Sequence, residues 1–171
     1  DDFVKKGYLK EAIINYVALL GWSPKSNVEK MTLPEMVEMF SLDGISKSPS
    51  IFDEMNLRWL NGEYIRELSE DEFYAHALPY LENSAVNGKF DLKKIAKLLH
   101  GRVEVLGDIP EKIDWLVSLP DYDFALFDNK KNKTDKDVAK NLLPEIKEWL
   151  EEIDDFSNDV LFFALSEKAK E

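Results

Sequence analysis

Positive charge concentrates on one face of a predicted helix between residues 91 and 104. The basic side chains of this face are Lys93, Lys94, Lys97, His100 and Arg102. Lysine and arginine neutralise phosphates, and the planar fork of arginine also donates two parallel hydrogen bonds to a base edge or a phosphate. Clustering of these side chains on one face of the molecule would favour a polyanionic partner, whereas their dispersal would favour a protein partner. The alternative for Arg102 is a helix-surface arginine paired with Glu104 or Asp108.

A second basic run lies at residues 128–136, DNKKNKTDK. It contains Lys130, Lys131 and Lys133, with few acids beside them. Such a run is usually a solvated loop, and a phosphate-contacting loop is the sharper interpretation. Lys47, in a loop rich in Gly, Ser and Pro at residues 43–53, has the same two interpretations.

The overall charge argues against a polyanionic partner. The 171 residues carry a formal net charge of -12, which by itself argues against nucleic-acid binding. The two observations agree only where the basic side chains cluster on one surface and the acids lie elsewhere. Hydrophobic content of 44% and charged content of 33% are typical of a globular chain of one or two domains.

Other kinds of chemistry have little support in the sequence. No glycine-rich phosphate-loop pattern occurs, and the two histidines, His76 and His100, have no partners at metal-ligand spacing. We therefore predict no metal site. With no cysteine there is no disulfide framework or thiolate site, which fits the cytosol, and no apolar run approaches the roughly 20 residues that span a bilayer.

The elements that must position these side chains are helices. Residues 7–22 have apolar residues at helical spacing, and Gly21 is predicted to form a left-handed C-terminal cap. Capping boxes are predicted at Thr32, Ser69 and Asp108. Further N-terminal caps are predicted at Asp53, Asp91, Thr134 and Ser157.

The same patterns predict where the helices stop. The helix that starts at Asp53 is expected to end near Asn61-Gly62, and residues 102–106 (RVEVL) fit a strand or a helix equally well. The last helix, after Ser157, is apolar on more than one face and is expected to need further partners. About eight helices and no strong strand predict an all-α fold.

Three segments resemble bacterial glutamyl-tRNA synthetases. They are GYLKEAIINYVALLGWSP at 7–24, FSLDGISKSPSIFDEMNLRWLNGEYIR at 40–66 and, more loosely, KIAKLLHGRVEVLGDIP at 94–110. The resemblance implies a stem-contact segment at residues 1–67, a helical anticodon-binding subdomain at 68–153, and the first helix of an incomplete last subdomain at 154–171.

The resemblance also implies roles for the basic residues. Arg102 occupies the place of the family's arginine in the helical subdomain, so it is expected to contact the anticodon or the RNA backbone. The full set of expected tRNA-binding residues is Lys47, Lys93, Lys94, Lys97, Arg102, Lys130, Lys131 and Lys133.

The family joins glutamate to tRNA with ATP and magnesium, but its His-Ile-Gly-His-type signature has no counterpart in this sequence. Ser46-Lys47-Ser48 is not the second ATP signature, because in the family that signature precedes Gly7. We therefore expect this chain to lack catalytic residues and cofactors of its own. The expected partner is glutamate tRNA, or both glutamate and glutamine tRNA, with no DNA and no membrane. The chain is expected to be a cytoplasmic monomer that could form artificial dimers through its final helix. The alternative function is an acidic helical protein-interaction module derived from the same fold.

Overall fold

The computed structural model describes residues 2–26, 28–48 and 50–169, and the chain divides into two compact units, residues 1–120 and 121–171. The α-helices of the first unit are α1 (Asp2–Lys5), α2 (Lys10–Gly21), α3 (Leu33–Met39), α4 (Glu54–Glu67), α5 (Glu70–Glu82), α6 (Leu92–Leu99) and α7 (Ile109–Ile113). Those of the second unit are α8 (Lys136–Glu151) and α9 (Asn158–Lys168). The described residues form no strand, only isolated bridges, so the all-α prediction is confirmed.

Most of the predicted helix starts are confirmed by their hydrogen bonds. Thr32 and Ser69 each form a complete capping box with the glutamate three residues later. The carboxylates of Asp53 and Asp91 accept backbone N–H groups in the first turns of α4 and α6. These side chains satisfy donors that a helix start leaves unpaired.

The predicted left-handed cap at Gly21 is wrong. Gly21 is the last helical residue, and the chain leaves the helix through Trp22 in an extended conformation. The Gly21 carbonyl accepts the Ser46 N–H at 2.9 Å, and the Ser23 N–H donates to Gly44 at 2.9 Å. Backbone groups of residues 44–46 therefore provide hydrogen-bond partners at the end of α2, and no left-handed residue is required.

The predicted end of α4 near Asn61-Gly62 is also wrong, because both residues are buried inside a helix that continues to Glu67. The Asn61 side chain accepts the Leu9 N–H at 2.8 Å and donates to the Glu104 carbonyl. These contacts join three segments that are far apart in the sequence.

Three other predicted caps differ in detail, and one of them is Ser157, which occupies the N-cap position of α9 without a side-chain capping hydrogen bond. Asp108 occupies the N-cap position of α7 but makes no capping hydrogen bond, because its carboxylate pairs with Arg58. Asp135, rather than Thr134, caps α8 and accepts the N–H groups of Asp137 and Val138.

The main core lies in the first unit, where α5 and α6 pack together against the segments around them. Phe73, Leu81, Val103 and Ile109 are completely buried in this core. Residues 102–106 form neither a strand nor a continuous helix, yet Val103 and Val105 are both buried, in different clusters.

The second unit has no buried residue among residues 121–169. Its apolar side chains are partly or largely exposed, with Phe162 and Phe163 of α9 at 75% and 68%. No helix of the described ranges is long and apolar enough to cross a membrane.

Candidate nucleic-acid interface

The lysines of α6 lie on its exposed side, opposite the buried residues Ile95, Ala96 and Leu99. Asp91 sets the start of this helix and therefore the direction in which its side chains project. Lys93, Lys94 and Lys97 line a cleft of about 220 Å³ together with residues of α5. The predicted face therefore exists and is accessible.

Two of these lysines are paired with acids. The Lys93 ammonium lies 2.8 Å from Asp71, and the Lys97 ammonium lies 3.1 Å from Glu70. The hydrogen bond to Asp71 raises the pKa of Lys93, and the same contact lowers the pKa of Asp71. Lys94 has no ion pair in the part of the chain that the structure describes. The charge that this face offers to a partner is therefore smaller than its three lysines suggest.

Arg102 is exposed at the end of a 3₁₀ turn, His100–Arg102, that directly follows α6. His100 holds this turn, because its Nε2 lies 2.9 Å from the Ile65 carbonyl and its ring stacks on Phe73 at 4.6 Å. Arg102 forms no ion pair with any described residue. The turn thus presents an arginine with an uncompensated charge.

The two carboxylates that could have neutralised Arg102 are held by Arg58 instead. Arg58 Nε lies 3.7 Å from Glu104 Oε2, and its terminal nitrogen pairs with Asp108 Oδ2. The hydrogen bond that Arg58 donates to the Asp108 carboxylate raises the pKa of Arg58. The alternative interpretation of Arg102, as a partner of Glu104 or Asp108, is therefore wrong.

A second, more basic cleft of about 290 Å³ surrounds Arg102. Its lining consists of Arg58, Arg66, Gly101, Arg102, Glu104 and Lys112. The sequence did not lead us to predict Arg58, Arg66 and Lys112 as residues of the site. The repeat of Arg58, Gly62 and Arg66 at four-residue intervals on α4 was an available signal, but their proximity to Arg102 depends on contacts between distant segments.

The remaining predicted residues lie apart from α6 in the sequence. Lys130, Lys131 and Lys133 are exposed in a turn closed by mutual backbone hydrogen bonds between Asn129 and Thr134. Lys133 has a positive φ of 55°, a conformation that costs a non-glycine residue some stability. Lys47 is exposed in the loop that precedes α4.

The described residues contain no cluster of three or more histidine, cysteine or acidic side chains able to hold a metal ion. His76 is exposed, and His100 is occupied by the contacts of the 3₁₀ turn. The arrangement can therefore bind anions through arginine and lysine.

Two known protein families match parts of this sequence. Residues 72–171 match the family described as "Anticodon binding domain", and residues 1–59 match "tRNA synthetases class I (E and Q), catalytic domain". The first match covers more than half of the sequence, so the chain belongs to the anticodon-binding domain family. The segment that matches this family, residues 72–171, includes α6, Arg102 and Lys112.

The relatives are glutamate–tRNA ligases, as the sequence resemblance predicted. The chain is 44% identical to the enzyme of Clostridium acetobutylicum over 92% of its own length, and 41% identical to that of Clostridium novyi over 98%. It spans about a third of these relatives, 33% and 36%.

Solved structures give the same result. The glutamate–tRNA synthetase of Elizabethkingia anophelis matches with a TM-score of 0.69 at 26% identity, covering 98% of this chain and 32% of that one. The glutamate tRNA ligase of Elizabethkingia meningosepticum, in complex with its amino acid, matches with a TM-score of 0.73 at 27% identity, covering 98% and 33%.

Proposed function

We propose that this chain is the tRNA-binding, C-terminal part of a glutamate–tRNA ligase. The observation that carries the proposal is similarity to glutamate–tRNA ligases over 91–99% of the chain at 41–46% identity. The geometry of the site supports it, because the anticodon-domain match contains an exposed, unpaired arginine beside further cations. In the whole protein, the activity is the joining of glutamate to tRNA with ATP and magnesium.

The proposed division of labour follows the chain. Residues 1–67 support the tRNA stem, residues 68–153 meet the anticodon, and residues 154–171 begin a further subdomain. The family matches end at 59 and resume at 72, on either side of the first proposed boundary. The break between compact units after residue 120 lies inside the proposed anticodon subdomain.

The chain contributes binding and positioning rather than chemistry. Unstacked anticodon bases expose their edges to side chains, and the planar fork of an arginine such as Arg102 can donate two hydrogen bonds to one edge. We assign Lys47, Lys93, Lys94, Lys97, Lys130, Lys131 and Lys133 to backbone phosphates. The tRNA is that for glutamate, or also that for glutamine, and the whole protein acts as a monomer in the cytoplasm.

A second candidate is the acidic protein-interaction module. The exposed aromatic side chains of α9 favour it, because apolar residues at 68–75% exposure are typical of a surface that packs on another protein segment. It accounts less well for the unpaired Arg102, and tRNA binding separates the two candidates.

Arg102→Ala is expected to weaken binding of glutamate tRNA by about 1 to 3 kcal/mol, roughly five- to 150-fold, because one bidentate contact is lost. Arg102→Lys keeps the charge but not the fork, so it should recover only part of the affinity. Fluorescence anisotropy with labelled tRNA measures both. Equal binding by wild type and Arg102→Ala would remove Arg102 from the site.

Freeing the paired lysines should have the opposite effect. We expect Glu70→Gln/Asp71→Asn to tighten tRNA binding and to steepen its salt dependence by up to about two units of slope, one for each released lysine. The loss of stability should be small, because both ion pairs are exposed.

The control for this double variant is Glu38→Gln/Glu82→Gln. It removes the same charge from exposed positions that form no ion pair among the described residues. A change in salt slope of the same size in both double variants would show an effect of overall charge and would exclude a specific role for Lys93 and Lys97.

A further inference from the structure

We propose that the cleft between α4, the 3₁₀ turn at Arg102 and α7 binds a backbone phosphate of RNA through Arg66 and Lys112, next to the nucleotide that Arg102 contacts. We further propose that Arg58 is a positioning residue, which keeps this cleft positively charged by holding two carboxylates. The inference rests on the proposed tRNA-binding function and extends it beyond Arg102.

The first support is the concentration of cations from separate segments. Arg58 and Arg66 come from α4, Arg102 from the turn, and Lys112 from α7, and they line one cleft with a single acid, Glu104. Arg58 and Arg66 are ion-paired, so in a chain with a net charge of -12 the positive charge that this cleft offers to a partner comes mainly from Arg102 and Lys112. Such a concave basic surface raises the local potential and attracts a polyanion.

The second support is the way the acids are arranged. Arg58 is only 28% exposed and contacts both Glu104 and Asp108. Asp108 stands at the start of α7 yet makes no cap there, so its carboxylate is committed to Arg58. Arg102 and Lys112 therefore have no carboxylate partner among the residues described.

The third support is space for a ligand. The Arg66 guanidinium pairs with Glu63 and lies over Gly62, where its two nitrogens are 3.2 and 3.4 Å from the position of an added Cβ. Gly101, in contrast, has no atom within 4 Å of such a Cβ. The cleft is thus open beside Arg102 and bounded by Arg66.

The chemistry of the cations suits a phosphate. An arginine fork binds two phosphate oxygens at once, and a lysine ammonium adds a point charge. Phosphate contacts fix the position of the RNA without reading its sequence. The cleft would therefore hold the backbone next to the nucleotide that Arg102 contacts.

The test uses Lys112→Gln and Arg66→Gln in the full chain, with glutamate tRNA and the same tRNA with a changed anticodon. Each variant should bind about tenfold more weakly, the size of one charge-assisted contact. The factor should be the same for both RNAs, and the salt slope should fall by about 0.9. Lys89→Gln, an exposed lysine outside this cleft, is the matched control and should behave as wild type.

The role of Arg58 requires a rescue experiment. Arg58→Met should weaken binding, because Glu104 and Asp108 then become free to neutralise Arg102 and Lys112. Arg58→Met/Glu104→Gln/Asp108→Asn removes the freed charges and should restore most of the binding. A merely structural role of Arg58 predicts no restoration.

The outcomes separate the two proposals. If wild type does not bind tRNA, the proposed function fails and this inference fails with it. If wild type binds while Lys112→Gln and Arg66→Gln keep its affinity and slope, the phosphate site alone is overturned. If the triple variant binds no better than Arg58→Met, the positioning role of Arg58 is overturned.

Discussion

Gly7→Ala is expected to destabilise the first unit by about 2 to 5 kcal/mol. Gly7 has a φ of 98°, which costs an alanine about 1 to 2 kcal/mol. A Cβ there would also overlap the Gly107 backbone nitrogen and lie 3.0 Å from the Leu106 carbonyl carbon. Two backbone segments meet at this point, so relief requires the segments to separate, at about 1 to 3 kcal/mol more.

Urea unfolding followed by tryptophan fluorescence measures this change, since Trp22, Trp59 and Trp115 all lie in the first unit. Gly21→Ala is the control. Gly21 is helical, has an ordinary φ and has nothing within 4 Å of an added Cβ. That variant should be neutral or stabilising by up to about 1 kcal/mol. Equal effects of the two substitutions would contradict the close approach of residues 7 and 107.

Asn61→Leu is expected to cost about 3 kcal/mol, although leucine has the same branching as asparagine and is more apolar. Asn61 is completely buried, and its amide satisfies the Leu9 N–H and the Glu104 carbonyl. Leucine leaves both backbone groups without a partner, at about 1 to 3 kcal/mol for each buried one. The same urea experiment measures the loss.

Asn56→Leu makes the same chemical change on the same helix at an exposed position. We expect its free energy of unfolding to stay within about 0.5 kcal/mol of wild type. Because Asn61 also holds residue 104, Asn61→Leu should weaken tRNA binding as well, whereas Asn56→Leu should not. A small loss of stability in Asn61→Leu would show that water satisfies the two backbone groups.

Helix starts could be predicted from the sequence because their causes are local. Thr32, Ser69, Asp53 and Asp91 cap helices through bonds to residues two or three positions away. The end of α4 could not be predicted, because Asn61 and Gly62 normally terminate helices. Here the partners of Asn61 lie 52 and 43 residues away and compensate for its low helix propensity.

In the candidate site, too, the features with local causes could be predicted from the sequence and those that depend on distant contacts could not. Helical periodicity predicts that Lys93, Lys94 and Lys97 share one face, and in the structure all three are exposed on the same side of α6. Their pairing with Asp71 and Glu70 depends on the packing of α5 against α6, which no local pattern contains. The cleft around Arg102 was missed for the same reason.

The role of Asp108 shows how a local rule fails at such a site. Asp-Ile-Pro-Glu is a good helix-start sequence, yet the carboxylate of Asp108 binds Arg58. A charge-assisted pair of low exposure is stronger than an exposed cap, so the distant partner prevails. If the proposed phosphate site is correct, this departure from the local rule has a functional cause.

The most direct test of the account is a salt series of tRNA binding by the wild-type chain, with glutamate tRNA and the same tRNA carrying a changed anticodon. We predict affinity that falls steeply with salt for both RNAs, and weaker binding of the changed anticodon at every salt concentration. Binding of glutamate tRNA no tighter than that of an unrelated protein of equal negative charge would contradict the assignment of this chain as a tRNA-binding part.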